Sequence, residues 1–275
     1  MRGTDAAPRI LEEGGLDAIL ERYTTLRKVS LPAITQTTDT QNKYAVLADY
    51  LQQVKQTVVE HMRDSLPFLI GGDHAVGLGS VAAAAETYDD LAVIWFDAHG
   101  DMNTEETSLT GHIHGMPLAA AMGLCRSELN QVAGKPINPA HIFWVGTRSL
   151  DEGESALAQR LQLHVYSAEQ VRQHGMKQVM AAIREEMQGM GLNHLHCSID
   201  VDAMDPSVVC ATGVKEDGGL QPEDYTQFIE ALAQLPVQLT SLDWVEYNPL
   251  LDDPDMHTQQ WCLKSIDQLM KAISE

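Results

Sequence analysis

Leu91–Asp101 reads LAVIWFDAHGD: six apolar residues, Leu91 to Phe96, and then Asp97, His99 and Asp101 at every second position. An unbroken apolar run rich in Val, Ile and aromatics, with no Gly or Pro inside it, is the pattern of a strand buried on both faces. In extended backbone, positions i, i+2 and i+4 point to one side. The strand therefore leaves the core with three metal-type ligands aimed at one spot. Buried unpaired carboxylates are costly, and a bound cation removes that cost. Alone, the segment also fits a polar loop that happens to hold two Asp and a His.

Working outward, the chain alternates apolar runs with helical patterns. Before the central strand come a helical stretch over 8–22 broken at Gly14–Gly15, a short strand over Lys28–Ile34, and a long amphipathic helix over Asn42–Arg63. Pro67–Ile70 is a brief buried strand leading into Gly71-Gly72-Asp73-His74, and Val76–Thr87 is Ala-rich and helical. After it come a polar loop, Met102–His114, and a helix from about Pro117. Strands at His141–Gly146, Leu163–Tyr166, His194–Val201 and Leu239–Val245 then alternate with helices at Ser149–Leu161, Ala168–Arg172, Lys177–Gly189 and Pro222–Gln234. A final helix covers His257–Ile273. Strands separated by helices of this length predict an α/β fold, a three-layer α/β/α arrangement around a mostly parallel sheet. No repeat or Pro/Ser-rich linker divides residues 1–275, so a single domain is expected.

In open α/β sheets the site lies at the carboxyl ends of the strands. His74, Asp97–Asp101, Asp200–Asp202 and Glu246 all fall just past predicted strand ends. His74, Asp97, His99, Asp101, Asp200 and Asp202 are thus the candidate metal ligands. Six protein ligands exceed the needs of one ion that keeps an open position, but suit two ions if carboxylates bridge. An oxygen-rich set with two His and no Cys favours Mn(II) over thiolate-type zinc sites, with magnesium a weaker alternative because His suits it poorly. A pair of such ions holding a hydroxide at neutral pH is a hydrolytic device. Singly, His74 reads as a core histidine and Asp200–Asp202 as a turn; together, GGDH, DAHGD and SIDVDAMDP are far more specific. His194 and His196 alternate at the amino end of their strand and read as structural.

Composition narrows the partners. Of 275 residues, 18 are Lys or Arg and 39 Asp or Glu, for a formal charge of −21. That argues against nucleic acid and anionic membranes, which call for basic patches, and suits a small cationic substrate. Four scattered Cys without a CxxC pair, no apolar run near the ~20 residues of a membrane span, and a polar N-terminus lead to the expectation of a reduced, cytoplasmic protein.

With these motifs in place, the sequence resembles the ureohydrolase (arginase/agmatinase) family over nearly its whole length. The resemblance implies hydrolysis of a guanidino compound to urea and an amine by a hydroxide that bridges two Mn2+ ions per subunit. His74, Asp97, Asp101 and Asp200 would hold one ion. Asp97, His99, Asp200 and Asp202 would hold the other, and Asp97 and Asp200 would bridge. Asp101 would also orient the hydroxide and pass on its proton. Ser108–Pro117 (SLTGHIHGMP) looks like the arginase branch, with His114 as its catalytic proton carrier and Ser108, Thr110 and His112 as substrate contacts. Glu246 in VEYNP matches the carboxylate that pairs with the guanidinium, a sound role because a carboxylate accepts that planar group through two parallel hydrogen bonds. Asp151 and Glu154 in RSLDEGE would sit near the α-amino group.

The resemblance also implies a homo-oligomer, trimer or hexamer, and L-arginine as substrate. The departures are His112 where arginases place Asn, Val214 where they place a hydroxyl, and a beginning that leaves out the usual strand before Gly3–Pro8. The departures at His112 and Val214 keep open another guanidino substrate, such as agmatine or a guanidino acid. An inactive arginase-like protein and a metallophosphoesterase are the weaker alternatives.

Overall fold

In the computed structural model, which describes residues 3–34 and 42–275, the LAVIWF run forms a strand buried at every position. Among the described residues the sheet has six strands, all parallel: β1 (Phe68–Ile70), β2 (Leu91–Phe96), β3 (Ile142–Val145), β4 (His164–Tyr166), β5 (His194–Asp200) and β6 (Gln238–Val245). Their order across the sheet is β1-β6-β5-β2-β3-β4. From β2 the chain steps to β3 and β4 on one side, whereas β5 returns to the other side of β2 and β6 continues outward. The crevice between β2 and β5 is therefore the point where the winding reverses, the place such sheets bind ligands.

Alternation sorts β2 between two cores. Ala92, Ile94 and Phe96 join the layer built with the helices Met176–Met190, Pro222–Ala233 and His257–Ser274. Leu91, Val93 and Trp95 face the helices Lys43–His61 and Gly77–Thr87. The Ala-rich sequence of Gly77–Thr87 has a packing cause. A Cβ on Gly79 would lie 2.9 Å from the Leu51 carbonyl oxygen and 2.8 Å from Val54, so small residues let the two helices approach.

Several sequence expectations are refined. The 8–22 stretch divides at Gly14–Gly15 into helices Ala7–Glu13 and Leu16–Leu20. Lys28–Ile34 forms no strand: it runs without regular structure and pairs with no strand of the sheet. Propensity alone does not make a strand where no ladder partner is offered. A helix at Ser127–Ala133 also lies outside the sequence expectations. The helix expected from Ser149 begins at Glu152, because Asp151 is its N-cap. Among the described residues no helix is long and apolar enough to cross a membrane.

Candidate metal and substrate centre

Register brings the ligands together. Phe96 pairs with Ile199 and Asp200 with Val245, so Asp97, Asp200 and Glu246 emerge side by side where β2, β5 and β6 end. His74 follows β1, which pairs with β6 through Ile70 and Trp244. Each acid is aimed by using one oxygen locally. Asp97 Oδ1 accepts from the His99 backbone N–H at 2.7 Å, Asp200 Oδ1 from that of Asp202 at 2.8 Å, and Asp202 Oδ1 from that of Ala98 at 3.3 Å.

The other oxygens converge. Asp97 Oδ2, Asp101 Oδ2 and Asp200 Oδ2 lie 2.9, 3.0 and 3.2 Å from His74 Nδ1. Asp202 Oδ2 lies 3.0 Å, and Asp97 Oδ1 3.6 Å, from His99 Nδ1. Two overlapping groups result, His74–Asp97–Asp101 and Asp97–His99–Asp202, with Asp97 in both. Asp200 reaches the first through its contact with His74. All six sequence-predicted ligands thus meet at one spot.

The surroundings hold the imidazoles in place. The His74 ring stacks on Trp95 with centroids 4.2 Å apart, and its Nε2 meets Ser198 Oγ at 2.9 Å. Ser198 donates to buried Asp243 at 3.2 Å, which also takes the Ser80 hydroxyl at 2.6 Å. Trp95 Nε1 donates to Asp97 Oδ2 at 3.2 Å. Nothing in the motifs marked Asp243. Ser198 could have been found, since it stands two residues before Asp200 on the same face of β5. His194 and His196 are structural as expected: His194 pairs with Asp90, and His196 is buried against Ser241 and Asp243.

Two candidate catalytic residues occupy left-handed backbone, Asp101 at φ 51° and Glu246 at φ 67°. Non-glycine residues take this conformation at a cost, and such outliers gather at functional sites. Gly100 is required beside them, because a Cβ there would lie 2.5 Å from Glu154 Oε1.

The charges are mutually dependent. Burial opposes charging His74, yet the neighbouring carboxylates, Asp101 first, push it well above its ordinary value. His99, opposed by burial but favoured by Asp202 and Asp97, is pushed up to about 12. Desolvation raises Asp101 to about 7 and Glu246 to about 8. Without a cation these groups keep protons; bound divalent ions would replace them.

The residue set fits such ions. His74 Nδ1 and Asp101 Oδ2 are in close contact, yet neither they nor Glu246 Oε2, all buried, make a formed hydrogen bond among the described residues, a condition that metal coordination or a ligand would remedy.

A cavity of about 270 Å³ opens over the cluster, lined by Ser108, Thr110, His114, Asp151, Glu154, Val214 and Glu246 besides the candidate ligands other than Asp97. His112 does not line it; its ring lies 5.2 Å from that of His114. The Ser108 hydroxyl accepts from the Gly111 N–H and that of Thr110 from His112, while Lys43 binds the Gly111 carbonyl at 2.5 Å. The loop is thereby shaped by its own side chains. Asp151 and Glu154 form a capping box, with Asp151 also bound by Asn103 and Glu154 by the Met102 N–H. Burial raises Glu154 to about 7.

A doubly covered parallel sheet with a carboxylate–imidazole cluster at its winding reversal defines a metal-centre α/β protein. Comparison with known proteins narrows this. The model of the arginase family matches residues 1–271. Arginase from Entamoeba histolytica is 35% identical over 263 residues, covering 91% of this chain and 87% of that protein. Arginase from Bacillus caldovelox is 40% identical over 197 residues, which take in 70% of this chain and 64% of that protein, just under two thirds of its length. The crystal structure of the Entamoeba histolytica arginase in complex with L-ornithine matches with a TM-score of 0.88 at 33% identity, covering 98% of this chain and 92% of that one. The chain belongs to the arginase family, and its enzyme class is amidinohydrolase.

Proposed function

We propose that this protein hydrolyses L-arginine to L-ornithine and urea with two Mn2+ ions held by His74, Asp97, His99, Asp101, Asp200 and Asp202. The observation that carries the reading is the position of Glu246. Its carboxylate lines the cavity beside the ligand cluster, with Oε2 unpartnered, where it accepts the guanidinium of a substrate whose reacting carbon then faces the cluster. The L-ornithine bound to the Entamoeba histolytica arginase is the amine that this reaction would leave.

Bound manganese would offset the buried carboxylate charge and lower the pKa of a water molecule enough to make it a nucleophile at neutral pH. Glu246 fixes the guanidinium by charge-assisted hydrogen bonds. As water oxygen bonds to the guanidinium carbon and the bond to the amine nitrogen breaks, a proton must reach that nitrogen. Asp101, whose Oδ2 lies in the cluster 3.0 Å from His74 Nδ1, takes and passes the proton there. His114, which burial holds below its ordinary value, carries protons between the cavity and solvent. Ser108, Thr110, Asp151 and Glu154 surround the α-carbon end of the substrate, with His112 entering only if the loop moves. By resemblance the active form is a homo-oligomer, trimer or hexamer, and the four free thiols support a cytoplasmic setting.

Val214, an apolar wall in the same cavity, favours a second reading in which another guanidine, such as agmatine, is the substrate. Urea release from L-arginine and agmatine, assayed side by side on manganese-loaded protein, decides. Faster turnover of L-arginine supports the proposal. Preference for agmatine, which lacks the α-carboxylate, removes the role of Ser108 and Thr110 at that end of the substrate, and no urea from either removes the reaction.

A further inference from the structure

His99 is held on one side only. Its Nδ1 faces Asp202 and Asp97, so Nδ1 is the nitrogen offered to an ion. A neutral imidazole bound through Nδ1 carries its proton on Nε2, and that N–H needs an acceptor. His99 Nε2 is buried and has no hydrogen-bond partner among the described residues. The acidic atom facing it is Glu216 Oε1, 4.0 Å away.

Glu216 does not reach that place by accident of a loose loop. Ser149, which bridges to His99 through the backbone, donates its hydroxyl to the same Oε1 at 3.0 Å. The Glu216 carbonyl takes two hydrogen bonds from Arg148, at 2.9 and 3.1 Å. The same guanidinium binds the carbonyls of Asp202, Ala203 and Met204, the turn that carries a ligand of the same group. Arg148 thus ties the Glu216 loop to the Asp202 turn.

Resting on the reading of His99 as a metal ligand, we infer that Glu216, steadied by Ser149, is the outer acceptor for His99 Nε2–H and a positioning residue for one of the two ions. A small rotation of the carboxylate, whose side chain is 39% exposed, about its hydrogen bond to Ser149 closes the remaining gap. An acceptor there fixes the tautomer and orientation of the ring and raises the basicity of Nδ1. Losing such a partner typically weakens metal binding about 10–100-fold.

The test is a manganese titration of metal-free protein, followed by calorimetry and by electron paramagnetic resonance, with the melting temperature of the metal-free form as a control. In Glu216→Ala the ion held by His99, identified as the one missing from His99→Ala, should lose about 10–100-fold in affinity. The other ion and the metal-free melting temperature should be unchanged. Glu216→Gln, which keeps an acceptor without the charge, should fall between, and Ser149→Ala should show a smaller loss in the same ion. Unchanged affinity for both ions in Glu216→Ala overturns the inference. So does an equal loss in both ions together with a lowered metal-free melting temperature, which is the mark of a merely structural residue. His99→Ala separates this from failure of the metal reading: it should bind one ion, and if it binds two, His99 is no ligand and the inference falls with that reading.

Discussion

Glu246 Oε1 accepts the backbone N–H of His74 at 2.9 Å, so the proposed guanidinium anchor and a proposed metal ligand are fixed to one another through a single hydrogen bond. One oxygen is used for structure and Oε2 is left for substrate. Glu246→Gln preserves an acceptor for His74 and removes the charge. The variant should keep its metal and lose roughly 10²–10³ in kcat/KM, the scale of an unpaired buried charge contact. Metal analysis and steady-state kinetics check this; an unaltered kcat/KM would remove Glu246 from substrate binding.

Asp97 belongs to both ligand groups, whereas Asp200 reaches them through the His74 side. Asp97→Ala should therefore lose metal and activity together, and Asp200→Ala should do the same if it bridges as proposed. Metal content after gel filtration is the direct measure. Full manganese stoichiometry in either variant contradicts the bridging assignment.

His114 lines the cavity but contributes no atom to the ligand groups. Its replacement by Ala should spare metal binding while turnover falls roughly 10²–10⁴-fold, the range for a lost general acid or base. Equal turnover in the variant and the parent would exclude His114 from the proton path.

How much of this was readable beforehand depends on whether a residue acts through periodicity or through tertiary meeting. Asp97, His99 and Asp200 were legible because a buried strand ends at each motif. Asp101, in left-handed backbone, and Asp202, in the 3-10 turn Val201–Ala203, were found by the same pattern but are aimed by local turns rather than by extended period 2. The parallel sheet followed from strand–helix alternation. Lys28–Ile34 misled because its strand composition carries no information about whether a neighbouring strand is there to pair with. Asp243 and Glu216 were invisible for a related reason: each reaches the cluster only because β6 or the 213–219 loop is brought there from a distant part of the chain. Asp151 and Glu154 line the cavity over the cluster, but the capping box between them is a local use of the same carboxylates that a reading of the motif alone does not show.

Metal removal should reverse the ordinary pH preference of the protein. In the metal-free cluster, His99 is pushed up to about 12 by Asp202 and Asp97 against the effect of burial, and burial raises Asp101 to about 7 and Glu246 to about 8. A group with a raised folded-state pKa adds stability below its unfolded value and loses it as pH rises through the folded value. For Asp101 and Glu246 that window runs from about 4 to about 8, and for His99 from about 6.5 to about 12. Asp97, shifted the other way by His74 and His99 despite its burial, acts only below about pH 4. The metal-free protein should therefore melt at a higher temperature at pH 5.5 than at pH 8. Manganese must displace the held protons from both imidazoles and from any ligand carboxylate still protonated, Asp101 and Asp200 among them, so its binding should release at least two protons and tighten as pH rises. The manganese-loaded protein should then gain most from the metal at pH 8. Melting curves with and without chelator at the two pH values, and calorimetry in buffers of different ionisation enthalpy, measure both effects. Metal-free protein more stable at pH 8, or binding heats independent of buffer, would mean that the cluster does not hold protons in place of metal.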